Sequence, residues 1–216
     1  MSQKNHHVEI VPSNVTSDGT ISFVNGQPVM QFIIGSQDRF VMGKTIRLSG
    51  NFALFEDVDD LPEDGDQLIM DRRGGIYSCI DQLVIKSQRT NQTIETIKNY
   101  GRFMQSYIAS TQSVQDQLSY VTAQSLANAN EAAMELAVTL NANNLGKNPN
   151  PFCMPLPCGL FDGRNPIPLS STWGLGGIIV EVHLAPDSNV LYNADGNGNN
   201  ISNARYQFRN VRLNAE

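Results

Sequence analysis

The stretch whose reading decides the fold is PFCMPLPCGLFDGRNPIPLSSTWGLGGIIVEVHLAP, residues 151–186. It opens with apolar side chains at every second position, Phe152, Met154 and Leu156, the period of a strand with one face turned to a core. Pro151, Pro155, Pro157 and Pro166 bar a helix here and favour strand ends or edges. Proline has no N–H for a ladder and biases the residue before it towards extended backbone. A crossing with Leu160, Phe161, Ile167 and Leu169 follows, and Gly174, Gly176 and Gly177 lead into a second strand. There Ile178, Val180, Val182 and Leu184 alternate with Ile179, Glu181 and His183, so the first four are expected to face a core and the others a mixed outer surface.

Working outward from this stretch, the chain before it supplies strands and one helical insert. Residues 1–20 are polar, with Pro12 and the turn signal Ser17-Asp18-Gly19, and read as an extended N-terminal arm. From Ile21 strand signals begin: Ile21 to Val24, a tight turn at Asn25-Gly26, then alternating Met30, Phe32 and Ile34. A loop, SQDRFVMGKT, separates these from a strand over Ile46 to Phe55, with Ile46, Leu48, Phe52 and Leu54 on one face. The acidic stretch 56–71 reads as a solvated loop, since it lacks the regular ligand spacing and closing Glu of a calcium loop. A strand over Ile76 to Ser87 and another over Thr93 to Tyr100 form a long hairpin ending at a Tyr100-Gly101 corner. Over residues 106–143 the period lengthens towards 3.6, with Val114, Leu118, Val121, Ala129, Ala133, Leu136 and Leu140 at helical spacing. Ala-rich composition without internal Gly or Pro supports a helical insert there.

After residue 186, Val190 to Tyr192 reads as a short strand. The Asn/Gly-rich run 193–198 reads as a turn, because a calcium repeat would have to recur. The last strand, Ala204 to Leu213, changes parity between Tyr206/Phe208 and Val211/Leu213, which predicts a bulge near Asn210. Residues 21–216 therefore form one domain.

Composition narrows the function classes. At 216 residues and 40% hydrophobic content the chain can bury one sizeable core. Charged residues make up only 17%, so the surface is polar by amide and hydroxyl. A net charge of −6 with no cluster of Lys and Arg argues against direct binding to nucleic acid through phosphates, and no arginine-rich arm precedes the domain. Cys79, Cys153 and Cys158 have neither zinc nor redox spacing and read as reduced thiols. MSQKNHHVEI has no apolar segment of a signal peptide and no run spans a membrane, so the expected product stays soluble until it meets its partners.

No catalytic, cofactor or metal constellation emerges, and the chain is not expected to be an enzyme. Glu181 and His183, at i and i+2 on one strand face, are the nearest approach to an acid–base or metal pair. With His6 and His7 the only other histidines, His183 is read as a satisfied sheet-face residue. Adjacent side chains on a strand point to opposite faces, which makes His6-His7 a poor metal pair. The glycines at 174–177 are followed by a strand and so form no phosphate cradle.

Counting gives about eight strands with one helical insert, the expectation for an antiparallel eight-stranded jelly-roll sandwich. The phrases IDQLVIKS (80–87) and IETIKNYGR (94–102), the helical insert, FCMPLPCGLFDGRNPIPL (152–169), GLGGIIVEVHLAP (174–186) and YQFRNVRL (206–213) resemble the N-terminal jelly roll of a double jelly-roll major capsid protein of polinton-like viruses, virophages and related double-stranded DNA viruses. The resemblance runs from about Val29 to Leu213. It implies a structural subunit of an icosahedral viral capsid, made inside the host cell and located in the virion. It also implies self-assembly into homotrimeric, pseudo-hexameric capsomers that contact other capsid proteins. Two alternatives stand beside it: a single jelly-roll vertex (penton) protein, and a β-sandwich glycan-binding module. Against the latter, Trp173 is the only Trp, where a glycan platform would want several exposed aromatics.

Overall fold

The computed structural model describes residues 6–14, 19–23, 28–36, 38–55, 67–70, 74–111, 150–194 and 205–216. In chain order its strands are β1 (Val8–Ile10), β2 (Thr20–Ile21), β3 (Val29–Gly35), β4 (Phe40–Val41), β5 (Arg47–Phe55), β6 (Gln67–Met70), β7 (Ile80–Ser87), β8 (Thr93–Lys98), β9 (Asn150–Pro155), β10 (Ile167–Pro168), β11 (Gly177–Leu184), β12 (Leu191–Ala194) and β13 (Arg205–Ala215). Two 3-10 turns, Gly43–Thr45 and Gly75–Cys79, and two helices, α1 (Tyr100–Thr111) and α2 (Asp187–Val190), complete the described elements. Every pairing is antiparallel: β3-β11-β7-β8 in one sheet, β1-β13-β5-β9 with β2 on β13 in another, and the short ladders β10-β4 and β12-β6.

β11 is central to its sheet because its β-branched residues suit an extended backbone and both of its edges find partners. Val180 lies opposite Phe32 of β3 and Ile85 of β7, and Val182 opposite Met30 and Leu83, so each inward position sits in an apolar cross-strand row. Ile178, Val180 and Val182 are completely buried and Leu184 nearly so, as the alternation predicts. The facing sheet contributes Leu48, Phe52, Met154, Tyr206, Phe208 and Leu213 to the same core. Its aromatic rings meet edge to face, Phe52 and Phe152 each against Phe208, with centroids 5.4 and 5.6 Å apart.

The parity change in the last strand is a bulge. Register slips between Arg209 and Arg212, Asn210 takes a φ of 51°, and the slip lets Tyr206, Phe208, Val211, Leu213 and Ala215 all bury their side chains. A second bulge, opposite His183 and Leu184, does the same for Ile80 and Leu83, whose parities also disagree.

Elsewhere the structure departs from the reading of the sequence. Residues 76–79 belong to a 3-10 turn, so the strand begins only at Ile80. The Tyr100-Gly101 corner is the first turn of α1, whose buried Tyr100, Met104 and Ile108 recur every four residues; Gly101 sits where an added Cβ would be 2.9 Å from Ser78 Cα. The helix thus starts six residues before the expected 106–143 insert, of which 112–143 lies outside the described residues. The loop SQDRFVMGKT contains β4, and the end of the acidic stretch 56–71 is β6, paired with β12; the turn at 25–26 and residues 56–66 lie outside the described residues. Within the N-terminal arm, β1 pairs with β13, and Ser13 and Asn14 bond the backbone of Gln31 and Val29 along the outer edge of β3.

Candidate functional site

The outward face of β11 gathers the polar residues that the sequence singled out. Glu181 lies opposite Gln31 on one side and Val84 on the other, with Lys86 one diagonal step away. The Lys86 ammonium reaches the carboxylate at 2.8 Å and the Gln31 side-chain amide donates to it at 3.2 Å. Only 12% of the Glu181 side chain is exposed. Burial alone would push its carboxyl up, but the hydrogen bonds from Lys86 and Gln31 and the charges of Lys86 and His183 outweigh it and hold the group below its ordinary value. A carboxylate held ionised by three strands' worth of partners is a clamp across β3, β11 and β7, with little basicity to offer a substrate. His183 Nε2 stands 3.6 Å from Glu181, is buried, and has no hydrogen-bond partner among the described residues.

The proline-rich crossing is fixed by tyrosines. With Pro155 and Pro157 unable to donate, their carbonyls accept from the hydroxyls of Tyr77 at 2.8 Å and Tyr100 at 2.9 Å. Burial pushes both phenols well up, so they stay protonated donors. Glu95 of β8 accepts the backbone N–H groups of Gly159 and Leu160 at 2.7 and 2.9 Å, pinning the next turn. Burial raises the Cys158 thiol to about 12, and Cys79, fully buried, is also pushed up. Neither supplies a thiolate nucleophile near neutral pH.

The third arrangement was not visible in the sequence. β4 and β10 bring residues 38–42 against residues 167–175, where Ser170 Oγ lies 3.0 Å from both Asp38 Oδ1 and Thr172 Oγ1. Arg89 donates to the Ser171 carbonyl at 2.7 Å. On this frame the rings of Phe40 and Trp173 meet with centroids 5.2 Å apart. Both are more than half exposed, at 55% and 56%, and Met42, the next outward position after Phe40, is 45% exposed. The alternation Phe40 out, Val41 in, Met42 out was the available signal, hidden inside a segment read as a loop.

His6 and His7 are exposed and lie before β1. Among the described residues no three His, Cys, Asp or Glu side chains are grouped to hold a metal ion, and no helix is long and apolar enough to cross a membrane. The run 193–198 falls partly in β12 and otherwise outside the described residues.

What the described residues define is an all-β protein of antiparallel sheets packed as a sandwich, with polar clamps on one outer face and an aromatic pair at a loop end. No family model matches the chain, and no curated protein matches it. Among solved structures, it is similar to the crystal structure of mavirus major capsid protein, at 10% sequence identity and a TM-score of 0.41. That alignment covers 100% of this chain and 47% of the other, so the chain spans about half the length of that protein.

Proposed function

We propose that this chain is a jelly roll and a structural subunit of an icosahedral viral capsid, assembling as trimers into pseudo-hexameric capsomers with other capsid proteins in the virion. The strand order carries this reading. Taking β1, β3, β5, β7, β8, β9, β11 and β13 as the eight principal strands, the first pairs with the last (β1·β13), the second with the seventh (β3·β11), the third with the sixth (β5·β9) and the fourth with the fifth (β7·β8). Such pairing is what one long antiparallel hairpin would give if rolled up so that alternate pairs fall in opposite sheets, and it supports a jelly roll, an architecture that capsid and lectin domains share. The capsid phrases in the sequence, the sparse surface charge and the Glu181 clamp support a shell-building role over catalysis. In this reading the N-terminal segment supplies β1 to the roll and straps β3 through Ser13 and Asn14, so the roll is not confined to 21–216, and the net charge of −6 leaves the genome to other proteins.

Sedimentation velocity and negative-stain electron microscopy test the reading. Trimers, capsomers or shells are the expected result, and a monodisperse monomer at tens of micromolar would overturn it. A glycan-binding module is the second reading, favoured by the exposed Phe40–Trp173 pair, and it predicts that monomer.

A further inference from the structure

From the loop end that carries Phe40, Met42 and Trp173, we infer that this patch is the contact through which one copy of the chain grips the next, head to tail. The inference rests on the proposed self-assembly and names its surface. Three large apolar side chains about half exposed at one place leave on the order of a few hundred Å² of apolar surface in water, the scale at which an exposed patch marks an interaction site. Its composition is that of an interface centre, where aromatics, Met and Arg are enriched: Phe40, Met42 and Trp173, with the exposed Arg39 and Arg89 beside them.

The patch is also pre-formed. Arg39 carbonyl accepts the Leu169 N–H at 3.1 Å, Arg89 holds the Ser171 carbonyl, and Gly174 packs so closely that a Cβ there would lie 2.6 Å from the Pro168 carbonyl oxygen. Rings held in place lose little freedom on binding, which favours association.

Charge decides between a second copy meeting the patch symmetrically and one meeting it with a different surface. Asp38, which accepts from Ser170, offsets one of the two guanidiniums, so Arg39, Arg89 and Asp38 leave the rim net positive on a chain whose net charge is −6. Two such rims face to face would oppose arginine to arginine, whereas a head-to-tail contact sets the rim against the acidic remainder of the neighbour. A head-to-tail contact whose rotation closes makes a ring, and the trimer proposed above would be such a ring.

Trp173 is the only Trp, so the emission of the full-length chain reports on this patch alone. The emission should shift to the blue as the protein is concentrated, in step with the oligomer seen by sedimentation. Phe40→Ser and Trp173→Ser, both at exposed positions, should keep the wild-type circular dichroism and weaken association by about tenfold or more. Arg39→Glu should weaken it more at low salt than at high. If oligomers form while Trp173 emission stays unchanged and the variants associate like wild type, the patch is not the contact and the inference fails, though the capsid reading survives. If the wild type remains monomeric, both fail. A Trp173 signal that answers to added sialyllactose or lactose, without any change in oligomer, assigns the patch to a glycan and overturns the inference.

Discussion

Val180 and Glu181 are neighbours in the chain on opposite faces of β11, so substituting each in turn tests the register of the central strand. A slip of one residue would exchange their environments. Val180 is fully buried between Phe32 and Ile85. Val180→Asp forfeits about 2 kcal/mol of apolar burial and adds several kcal/mol for a carboxyl group with no partner in that row. The sum is on the order of 5 kcal/mol or more, comparable to the whole stability of many domains, so the variant should be recovered insoluble or unfolded. Glu181→Gln keeps the shape and an acceptor for Lys86 and Gln31 but removes the charge, at a cost of about 1 kcal/mol, because Lys86 is itself 25% exposed and can turn to water. That exceeds the negligible effect expected of an exposed residue, since only 12% of this side chain is exposed. The pH dependence gives an independent check. The Glu181 carboxyl is held below its ordinary 4.5 in the folded chain, so its stabilising contribution is complete above the unfolded value. It is lost as the pH falls through the lower folded value, and the gap between wild type and Glu181→Gln should close in that acid range. Urea denaturation followed by circular dichroism from pH 7 down to pH 3 measures all of this. Soluble, cooperatively folding Val180→Asp, or a Glu181→Gln loss as large as that of Val180→Asp, would refute the register.

Gly177 has a φ of 96° and an added Cβ would meet the Ile34 carbonyl oxygen at 2.8 Å, so Gly177→Ala should cost about 1–3 kcal/mol. Gly35, opposite it in the ladder, has nothing within 4 Å of the same position, and Gly35→Ala should be near neutral in the same thermal melts. Tyr100→Phe strips the buried Pro157 carbonyl of its donor and should cost about 1–3 kcal/mol by urea titration; a change below about 0.3 kcal/mol would show that the hydroxyl does not hold the crossing.

The strands of the core were legible wherever the chain keeps strict alternation against a buried neighbour, as in Met30 to Ile34, Phe152 to Leu156 and Ile178 to Leu184. Even the bulge at Asn210 could be read, because the parity of buried residues must change there. Where a short turn stands in for strand, as at Gly75–Cys79, the apolar residues Ile76 and Tyr77 are buried just as strand residues would be, and composition cannot separate the two. The start of α1 is hard to read because a single residue, Asn99 at a φ of 52°, separates the strand from its first buried positions, Tyr100 and Gly101, and no proline marks the break. Side-chain contacts between distant strands are harder still. Alternation places Glu181 on the outer face, but its burial under Lys86 and Gln31 depends on two strands distant in sequence. In the sequence Trp173 stands as a lone Trp, and only the β4–β10 ladder sets Phe40 beside it.

How copies of this chain can meet is constrained by what covers the edges of its sheets. β9, an outer strand, includes Pro151 and Pro155, which have no N–H to offer a neighbour. The outer edge of β3 is partly occupied, since Asn14 and Ser13 bond the N–H and C=O of Gln31 and the carbonyl of Val29. β8 turns the Glu95 carboxylate to the Gly159 turn and exposes Lys98, and β1 is only three residues long. Short, charged, proline-bearing or strapped edges resist strand addition. Assembly should therefore proceed through side chains at loop ends, with no new intermolecular ladder. Hydrogen exchange read by mass spectrometry, on dilute against assembled protein, separates the two routes. New protection is expected in peptides covering 38–42 and 168–175, and none in β1, β3, β8 or β9. Slowed exchange of the β3 or β9 amides on assembly would mean that copies join by extending a sheet, and the edge argument would be wrong.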